Sequence, residues 1–463
     1  MTELYVSREK LFGTDGIRGT PGVYPLTNGM LYKIGSGIAR FLSSKKNVRK
    51  NRKKLKVVIG KDTRLSGQRI ESILAEAINM FGIDVLQAGI IASPGLSFLA
   101  KYFGADMGIM ISASHNKAED NGIKFFNSEG HKLSCQEEDK LEKFIFDSLI
   151  HQAADFHYKR KGKIRIIKGA PAKYIKFLAS TLEGLNLKGM RVAIDCAYGA
   201  TSLFAKKLFN RLGAKVYTIN DNPQGDNINQ GGALDPTLLK DLVLKSCAHI
   251  GIAVDGDGDR GILIDEKGQI LDGDFIMAII ARHLIENNRL PKNTIVTTVM
   301  SNYGLRTSLE ENGGQIITTD VGDKYVLEAL LKNNLNFGGE QSGHIIFLEY
   351  LPTPDGLLTG LQLLKLMQDK KTTLSELKNC MNKFPQVLVN VRVKEKKPFE
   401  EMPSLNEKLS SFTAQLKNKG RILLRYSGTE PLARIMVEGK DKELIEEMAN
   451  SLASEIRQEI GTE

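Results

Sequence analysis

The chain lacks a membrane-spanning run. Its apolar residues never approach the roughly 18 in succession that crossing a bilayer needs, so no transmembrane helix and no membrane partner are expected. Met1 to Lys10 contain no apolar core of a secretory signal, and a cytoplasmic protein is expected. Cysteine is scarce. The four present, Cys135, Cys196, Cys247 and Cys380, are scattered and make no metal-ligand pair. They read as buried thiols in a reducing compartment. The strongest basic cluster runs from Lys45-Lys46 to Lys56 and includes Arg49, Lys50, Arg52, Lys53 and Lys54, without interleaved aromatics. It reads as a solvated loop before a strand, and no nucleic-acid partner is expected.

What is present fits a globular protein: 463 residues, 41% hydrophobic and 25% charged. That length suggests roughly three domains. The net charge of +10 fits either a nucleic-acid partner or a cleft for phosphorylated small molecules.

A similar order of elements occurs three times. Leu55 to Gly60 reads as a strand, followed by the polar loop Lys61 to Gly67, a helix over Arg69 to Met80, and a second strand near Val85. An apolar third strand, Met107 to Ile111, leads to Ser114. Met190 to Asp195 opens the second copy, whose later strand Ile250 to Val254 ends in Asp255-Gly256-Asp257-Gly258-Asp259-Arg260. Thr294 to Met300 opens the third, whose later strand ends in Gly338-Gly339-Glu340-Gln341-Ser342-Gly343-His344. Strands alternating with helices predict parallel α/β sheets. Three domains of like plan would each present one polar loop from a corresponding position. After about Asn382 the pattern changes to strands over Val387–Val393, Arg421–Tyr426 and Ala433–Val437, with helices over Leu405–Leu416 and Glu443–Ile460. This predicts a smaller α+β domain.

The loops carry the chemistry. Ser114 follows a buried strand, where ligands of open α/β sheets bind, and is a candidate nucleophile or phosphoryl carrier. Alone, a Ser-His pair also reads as turn chemistry. Asp255, Asp257 and Asp259 repel one another unless a cation sits among them, and their hard oxygens suit Mg²⁺ or Ca²⁺. The spacing superficially fits an EF-hand, even to Glu266, but Arg260 stands where that loop needs glycine and the flanks read as strands. A surface hairpin of aspartates is the plainer alternative. Arg425, Ser427, Gly428 and Thr429, with Arg434 nearby, resemble an anion nest, and equally an ordinary Ser-Gly turn. Glu340 and Ser342 can bind vicinal sugar hydroxyls, and His344 can shuttle a proton. A buried glutamate satisfied by loop amides is the other reading. Arg18, in Phe12-Gly13-Thr14-Asp15-Gly16-Ile17-Arg18-Gly19, could reach a phosphate or stand exposed without a partner. Gly122 predicts a tight turn bringing Lys124 back toward Ser114. Between cations, that lysine would serve as general acid or base; otherwise it is a hairpin lysine.

Together these loops resemble the α-D-phosphohexomutase superfamily, over essentially the whole chain. The motifs FGTDGIRG, GEQSGH and RYSGTEP look most like members acting on amino-sugar phosphates. The resemblance implies three similar α/β domains with mixed, mainly parallel sheets and a smaller C-terminal α+β domain, heart-shaped around a central cleft. The expected limits are 1–160 for the phosphoserine domain, 161–269 for the metal domain, 270–382 for sugar recognition and 383–463 for phosphate binding. It implies a mutase interconverting glucosamine 6-phosphate and glucosamine 1-phosphate through phosphorylated Ser114 and glucosamine 1,6-bisphosphate. Members acting on mannose or glucose phosphates are the alternative. By the same resemblance Ser114, Asp255, Asp257 and Asp259 hold Mg²⁺. Glu340 and Ser342 grip the sugar. Arg425, Ser427, Gly428 and Thr429 hold the non-reacting phosphate. Arg18, His115, Lys124, Arg260 and His344 line the transfer site. A homodimer is left open. Two departures stand out: Lys117 where the family often has proline, and Lys324 where it often has arginine.

Overall fold

The computed structural model describes residues 10–13, 15–46, 54–147, 161–417, 419–427 and 430–462. The chain divides into two compact units: Met1–Met300 with Ile316–Lys378, and Ser301–Gln315 with Asn379–Glu463.

Three mixed sheets follow in chain order. β1 (Ile17–Gly19), β2 (Lys56–Lys61), β3 (Asp84–Ile90), β4 (Met107–Ile111), β5 (Asn121–Asn127) and β6 (Ile164–Ile166) are ordered β1-β5-β4-β2-β3-β6. β7 (Arg191–Asp195), β8 (Lys215–Ile219), β9 (Ile250–Val254), β10 (Gly261–Asp265) and β11 (Ile270–Leu271) are ordered β11-β10-β9-β7-β8. β12 (Thr294–Thr298), β13 (Gln315–Thr319), β14 (Phe337–Gly339) and β15 (Ile345–Phe347) are ordered β13-β12-β14-β15.

The same four-strand core lies in all three: β5-β4-β2-β3, β10-β9-β7-β8 and β15-β14-β12-β13. In each, the first and third strands of the copy pair parallel, and the third and fourth pair antiparallel. The expected triplication is thus present as topology. The strands read from continuous apolar runs, β4 and β9, are buried at every position, as strands covered on both faces must be. The helix Gly67–Met80 after β2 buries Ile70, Leu74, Ala77 and Ile78, a stripe of helical spacing turned to the core.

The third strand, Met107–Ile111, is the one read from the apolar run. The structure corrects two local expectations. Gly122 makes no tight turn; it lies within β5, paired with Arg18 of β1. A Cβ there would stand 2.6 Å from the Ser112 carbonyl oxygen, so the glycine serves close strand approach. Of the four cysteines only Cys196 is buried; Cys247 is exposed, as the left-handed residue that ends the helix Thr237–Ser246. Within the basic cluster, residues 47–53 lie outside the described residues. Lys45 pairs with Glu137 at 3.0 Å and Lys54 with Asp84 at 2.6 Å. Among the described residues no helix is long and apolar enough to cross a membrane.

The second unit carries β16 (Gln386–Arg392), β17 (Gly420–Tyr426) and β18 (Leu432–Gly439), antiparallel in the order β16-β18-β17. The helices Pro403–Leu416 and Lys442–Ile460 share its core through Leu405, Met448, Leu452 and Ile456, packed with Val391, Ile435 and Val437. Fully buried Glu438 accepts from Asn302 Nδ2 at 3.0 Å and Arg421 Nε at 2.5 Å, so its charge is compensated.

Candidate active site

Because the first unit repeats one strand order, it also repeats one turn. The turns β4–β5, β9–β10 and β14–β15 carry Ser114, the aspartates, and Glu340 to His344 respectively. All three meet. Ser114 Oγ donates to Asp255 Oδ2 at 2.7 Å. Arg260 Nη2 stands 2.8 Å from His115 Nδ1, and its Nε 3.2 Å from His344 Nε2. His344 Nε2 also lies 3.2 Å from Asp259 Oδ1.

The aspartates are not a surface hairpin, and strands rather than helices flank them, which removes the EF-hand. Asp255, Asp257 and Asp259 are at most 2% exposed. Each offers one oxygen, and these oxygens lie within 4.8 Å of one another. Burial, reinforced by Asp259 and Asp257, pushes the Asp255 carboxyl up to about 7. Among the described residues Asp257 Oδ1 is buried without a hydrogen-bond partner. An orphaned oxygen in a repelling trio of hard donors fits a divalent cation, so this cluster could hold a metal ion.

Lys124 lies on β5 with 1% exposure. Its Nζ contacts Asp15 at 2.9 Å, Asp257 at 2.9 Å and Asp259 at 3.2 Å. It stands among carboxylates, not among the cations expected from the sequence. Burial alone would lower its pKa, but Asp15, Asp257 and Asp259 outweigh that and hold it well above the usual lysine value.

The two histidines diverge for related reasons. Burial opposes the charged form of His344, yet Asp259 and Glu340, at its two ring nitrogens, raise it to about 10. His115, half-buried, is lowered to about 4 by burial and then by Arg260 and Arg18. Arg18 on β1 has partners: Asn116 Oδ1 at 3.1 Å and Asp15 Oδ2 at 2.9 Å.

Glu340 is 5% exposed. It accepts from the Gly322 amide at 2.9 Å and faces His344 Nδ1 at 2.8 Å, as the reading of a buried glutamate satisfied by a loop amide expects. Ser342 is exposed, with Oγ 3.2 Å from His344 Nδ1. Lys324 lies in the first turn of the helix Asp323–Asn333 and reaches Glu138 at 3.3 Å. Sequence reasoning missed Asp15 and Lys132. Asp15 joins Arg18, Lys124 and Lys132, and Lys132 goes on to Asp323 at 2.7 Å. Asp15 sat in a motif already singled out; nothing local marked Lys132.

In the second unit, Arg425 on β17 lies directly opposite Arg434 on β18. Like charges so paired are unfavourable unless an anion joins them. Burial and then Arg434 lower the Arg425 pKa. Ser427 is 5% exposed; its Oγ lies 3.5 Å from Arg434 Nη2, and its carbonyl accepts from Lys396 Nζ at 2.6 Å. Arg434 also pairs with Glu430 at 3.2 Å. Gly428 and Thr429 lie outside the described residues. Lys396 is a cation that the sequence did not flag.

Comparison with known proteins agrees with this arrangement. Residues 9–149, 172–268 and 272–384 match the phosphoglucomutase/phosphomannomutase alpha/beta/alpha domains I, II and III, and residues 388–455 match the C-terminal domain. A phosphoglucosamine mutase of Geobacter sp. (strain M21) is 45% identical over 98% of this chain and 99% of its own. One of Desulfotalea psychrophila is 45% identical over 97% and 98%. Among solved structures, a phosphoglucomutase/phosphomannomutase family protein from Burkholderia thailandensis shares the fold with a TM-score of 0.79 at 22% identity, covering 98% of this chain and 99% of that one. The N-acetylphosphoglucosamine mutase of Aspergillus fumigatus, solved with GlcNAc-6P and magnesium, has a TM-score of 0.66 at 18% identity, covering 97% and 95%. With every domain matched in order and near-complete coverage of its relatives, the chain belongs to the phosphoglucomutase/phosphomannomutase family, among the phosphoglucosamine mutases.

Proposed function

We propose that this chain interconverts glucosamine 6-phosphate and glucosamine 1-phosphate, with Ser114 as phosphoryl carrier and glucosamine 1,6-bisphosphate as intermediate. The observation that carries the reading is a serine alcohol 2.7 Å from a carboxylate of a buried aspartate cluster. The substrate C1 hydroxyl attacks the phosphorus of phosphorylated Ser114. The bond from phosphorus to Ser114 Oγ breaks, a bond to the C1 oxygen forms, and the hydroxyl proton passes to a base. The bisphosphate reverses in the site. Its C6 phosphoryl group then returns to Ser114 Oγ, freeing glucosamine 1-phosphate for the synthesis of UDP-N-acetylglucosamine and cell wall.

His115 is the base in this scheme, because its neighbours keep it neutral. Arg18, Lys124, Arg260 and His344 supply positive charge around the transferring group, where electrostatic stabilisation dominates. Glu340 and Ser342 take sugar hydroxyls. Arg425, Ser427, Gly428, Thr429 and Arg434 take the non-reacting phosphate. Asp255, Asp257 and Asp259, with Ser114, would hold Mg²⁺, which when bound neutralises phosphate charge. We propose a cytoplasmic location, domain limits after residues 160, 269 and 382, and a homodimer as the assembly to test by light scattering.

Rates on the 6-phosphates of glucosamine, glucose and mannose, measured beside intact mass, test the reading. We expect glucosamine 6-phosphate to give the highest kcat/KM, with one phosphoryl group on Ser114. A preference for mannose or glucose phosphate would instead favour phosphomannomutase or phosphoglucomutase activity. No mutase turnover at all would defeat the reading.

A further inference from the structure

Arg64 lies in the loop after β2, and its side chain has no exposure. A guanidinium presents five N–H donors in a fixed fork and no acceptor. Here all are used. Nε donates to Asp62 Oδ2 at 3.0 Å. Nη2 donates to the carbonyl oxygens of Ser114 at 3.0 Å and Asn116 at 2.8 Å. Nη1 donates to the carbonyl oxygen of Asp120 at 2.9 Å, and to that of Lys117. Four of these acceptors are main-chain carbonyls of one turn, the turn that carries Ser114.

A second path ties the serine to the same group. The Ser114 amide donates to Ser112 Oγ at 2.9 Å, and Ser112 Oγ donates to Asp62 Oδ2 at 2.6 Å. That oxygen is the one that accepts Arg64 Nε. A closed ring of hydrogen bonds therefore runs through both peptide groups flanking Ser114. Asn229, between β8 and β9, adds Nδ2 to the Ser114 and Asn116 carbonyls, each at 2.8 Å.

The ring holds an unusual backbone. Ser114 has φ +52°, the left-handed region that residues with a side chain seldom enter. Such a conformation persists where its surroundings over-determine it. Fixing both flanking peptides fixes the direction of Cβ, and with it the 2.7 Å approach of Oγ to Asp255.

We propose that Arg64 is the positioning residue of the phosphoryl-carrying serine. Through its ring with Asp62 and Ser112 it sets where Oγ stands when the phosphoryl group arrives and leaves. The inference rests on the mutase reading above. Arg64 reaches the chemistry only through the turn. Lysine cannot replace it, since an ammonium offers three donors from one atom.

The test compares wild type with Arg64→Lys and Ser112→Ala, assayed with glucosamine 6-phosphate and glucosamine 1,6-bisphosphate well below each thermal midpoint. Loading of Ser114 from the bisphosphate is followed by intact mass. Arg64→Lys is expected to lower kcat about 100-fold, the scale of a misplacement near 1 Å, and to slow loading in proportion. KM should stay within about threefold, because ground-state binding is untouched. Ser112→Ala, which opens the ring at a neutral link, should lower kcat and loading in the same sense but less. Unchanged kcat and loading in folded Arg64→Lys would overturn the inference, as would a change confined to KM. Should Arg64→Lys not fold, Ser112→Ala decides, and wild-type kcat in that variant overturns it. An active wild type with an unaffected variant defeats this inference alone, whereas a wild type without mutase turnover defeats the mutase reading and this role together.

Discussion

Ser114 and Asp255, 141 residues apart in the chain, are joined by a hydrogen bond of 2.7 Å. The contact is a consequence of repetition. Each residue sits in the turn between the third and fourth strands of its copy, so two equivalent turns supply the alcohol and the carboxylate. Their chemistry is unequal. The alcohol brings one donor and no charge, while burial and the neighbouring Asp259 and Asp257 push the Asp255 carboxyl up to about 7.

Ser114→Ala tests the carrier directly. Turnover should fall to background, and no phosphoryl adduct should form on incubation with glucosamine 1,6-bisphosphate. The fold should survive, since one hydrogen bond is lost, worth about 1–2 kcal/mol. Near-normal mutase rates in this variant would rule out the carrier role.

The aspartate cluster predicts a chelation phenotype. EDTA should stop turnover and Mg²⁺ should restore it. Asp257→Asn removes a charge whose second oxygen has no partner among the described residues. Calorimetric Mg²⁺ affinity should fall by more than the about 10–100-fold typical of outer-shell changes. Unaltered affinity would mean that the ion binds elsewhere.

How much of this was legible in the sequence follows from range. β4 and β9 are continuous apolar runs, so composition alone marks them as buried strands. The turns after β4 and β9 could be found because each ends such a strand in polar residues, whereas β14, Phe-Gly-Gly, is no apolar run. Long-range partners could not. Lys132 gains its meaning from Asp15 and Asp323, 117 and 191 residues away. Lys124 was placed near the right residues but given the wrong neighbours, because the sign of the surrounding charge is a tertiary property. Gly122 misled because glycine marks turns and close strand contacts alike.

The proposed phosphate site predicts a split in kinetic constants. Arg425→Ala should raise KM about 10–100-fold, the worth of a charged hydrogen bond to phosphate, with a smaller change in kcat. A phosphate held in ground state and transition state alike contributes uniform binding. Relief of the opposed Arg425 and Arg434 charges should leave stability unchanged or slightly raised. Steady-state kinetics and a thermal scan check both, and a pure kcat loss would remove Arg425 from ground-state binding.

Histidine titration in the metal-free protein should show opposite signs. His344, raised to about 10, should stay protonated through neutrality. Its stabilising contribution is full below an unfolded value of about 6.5 and is lost as pH rises toward 10. His115, lowered to about 4, contributes above about 6.5 and loses that contribution as pH falls toward 4. Nitrogen-15 spectra, assigned with His115→Gln and His344→Gln, would show it. A His344 ring that is neutral at pH 7 without metal would contradict the carboxylate contacts at both its nitrogens.

Lys324 provides the last test, at a position where the family often has arginine. Its Nζ reaches Glu138 at 3.3 Å, a carboxylate whose own pKa is raised by burial, and lies 5.4 Å from the centroid of the Tyr325 ring. Lys324→Arg can form a forked pair with that carboxylate, so stability should rise by up to about 1 kcal/mol with kcat unchanged. Lys324→Ala instead strands Glu138, which is 7% exposed. The expected cost is about 2 kcal/mol, below the full penalty of a broken buried pair because the contact to Glu138 is long. Adding Glu138→Gln to Lys324→Ala should recover most of it, since the uncompensated charge goes with the carboxylate. Denaturant titration of the four variants checks the order. If the double variant were no more stable than Lys324→Ala, the loss would come from packing of the lysine stem, and the ion pair would carry no weight there.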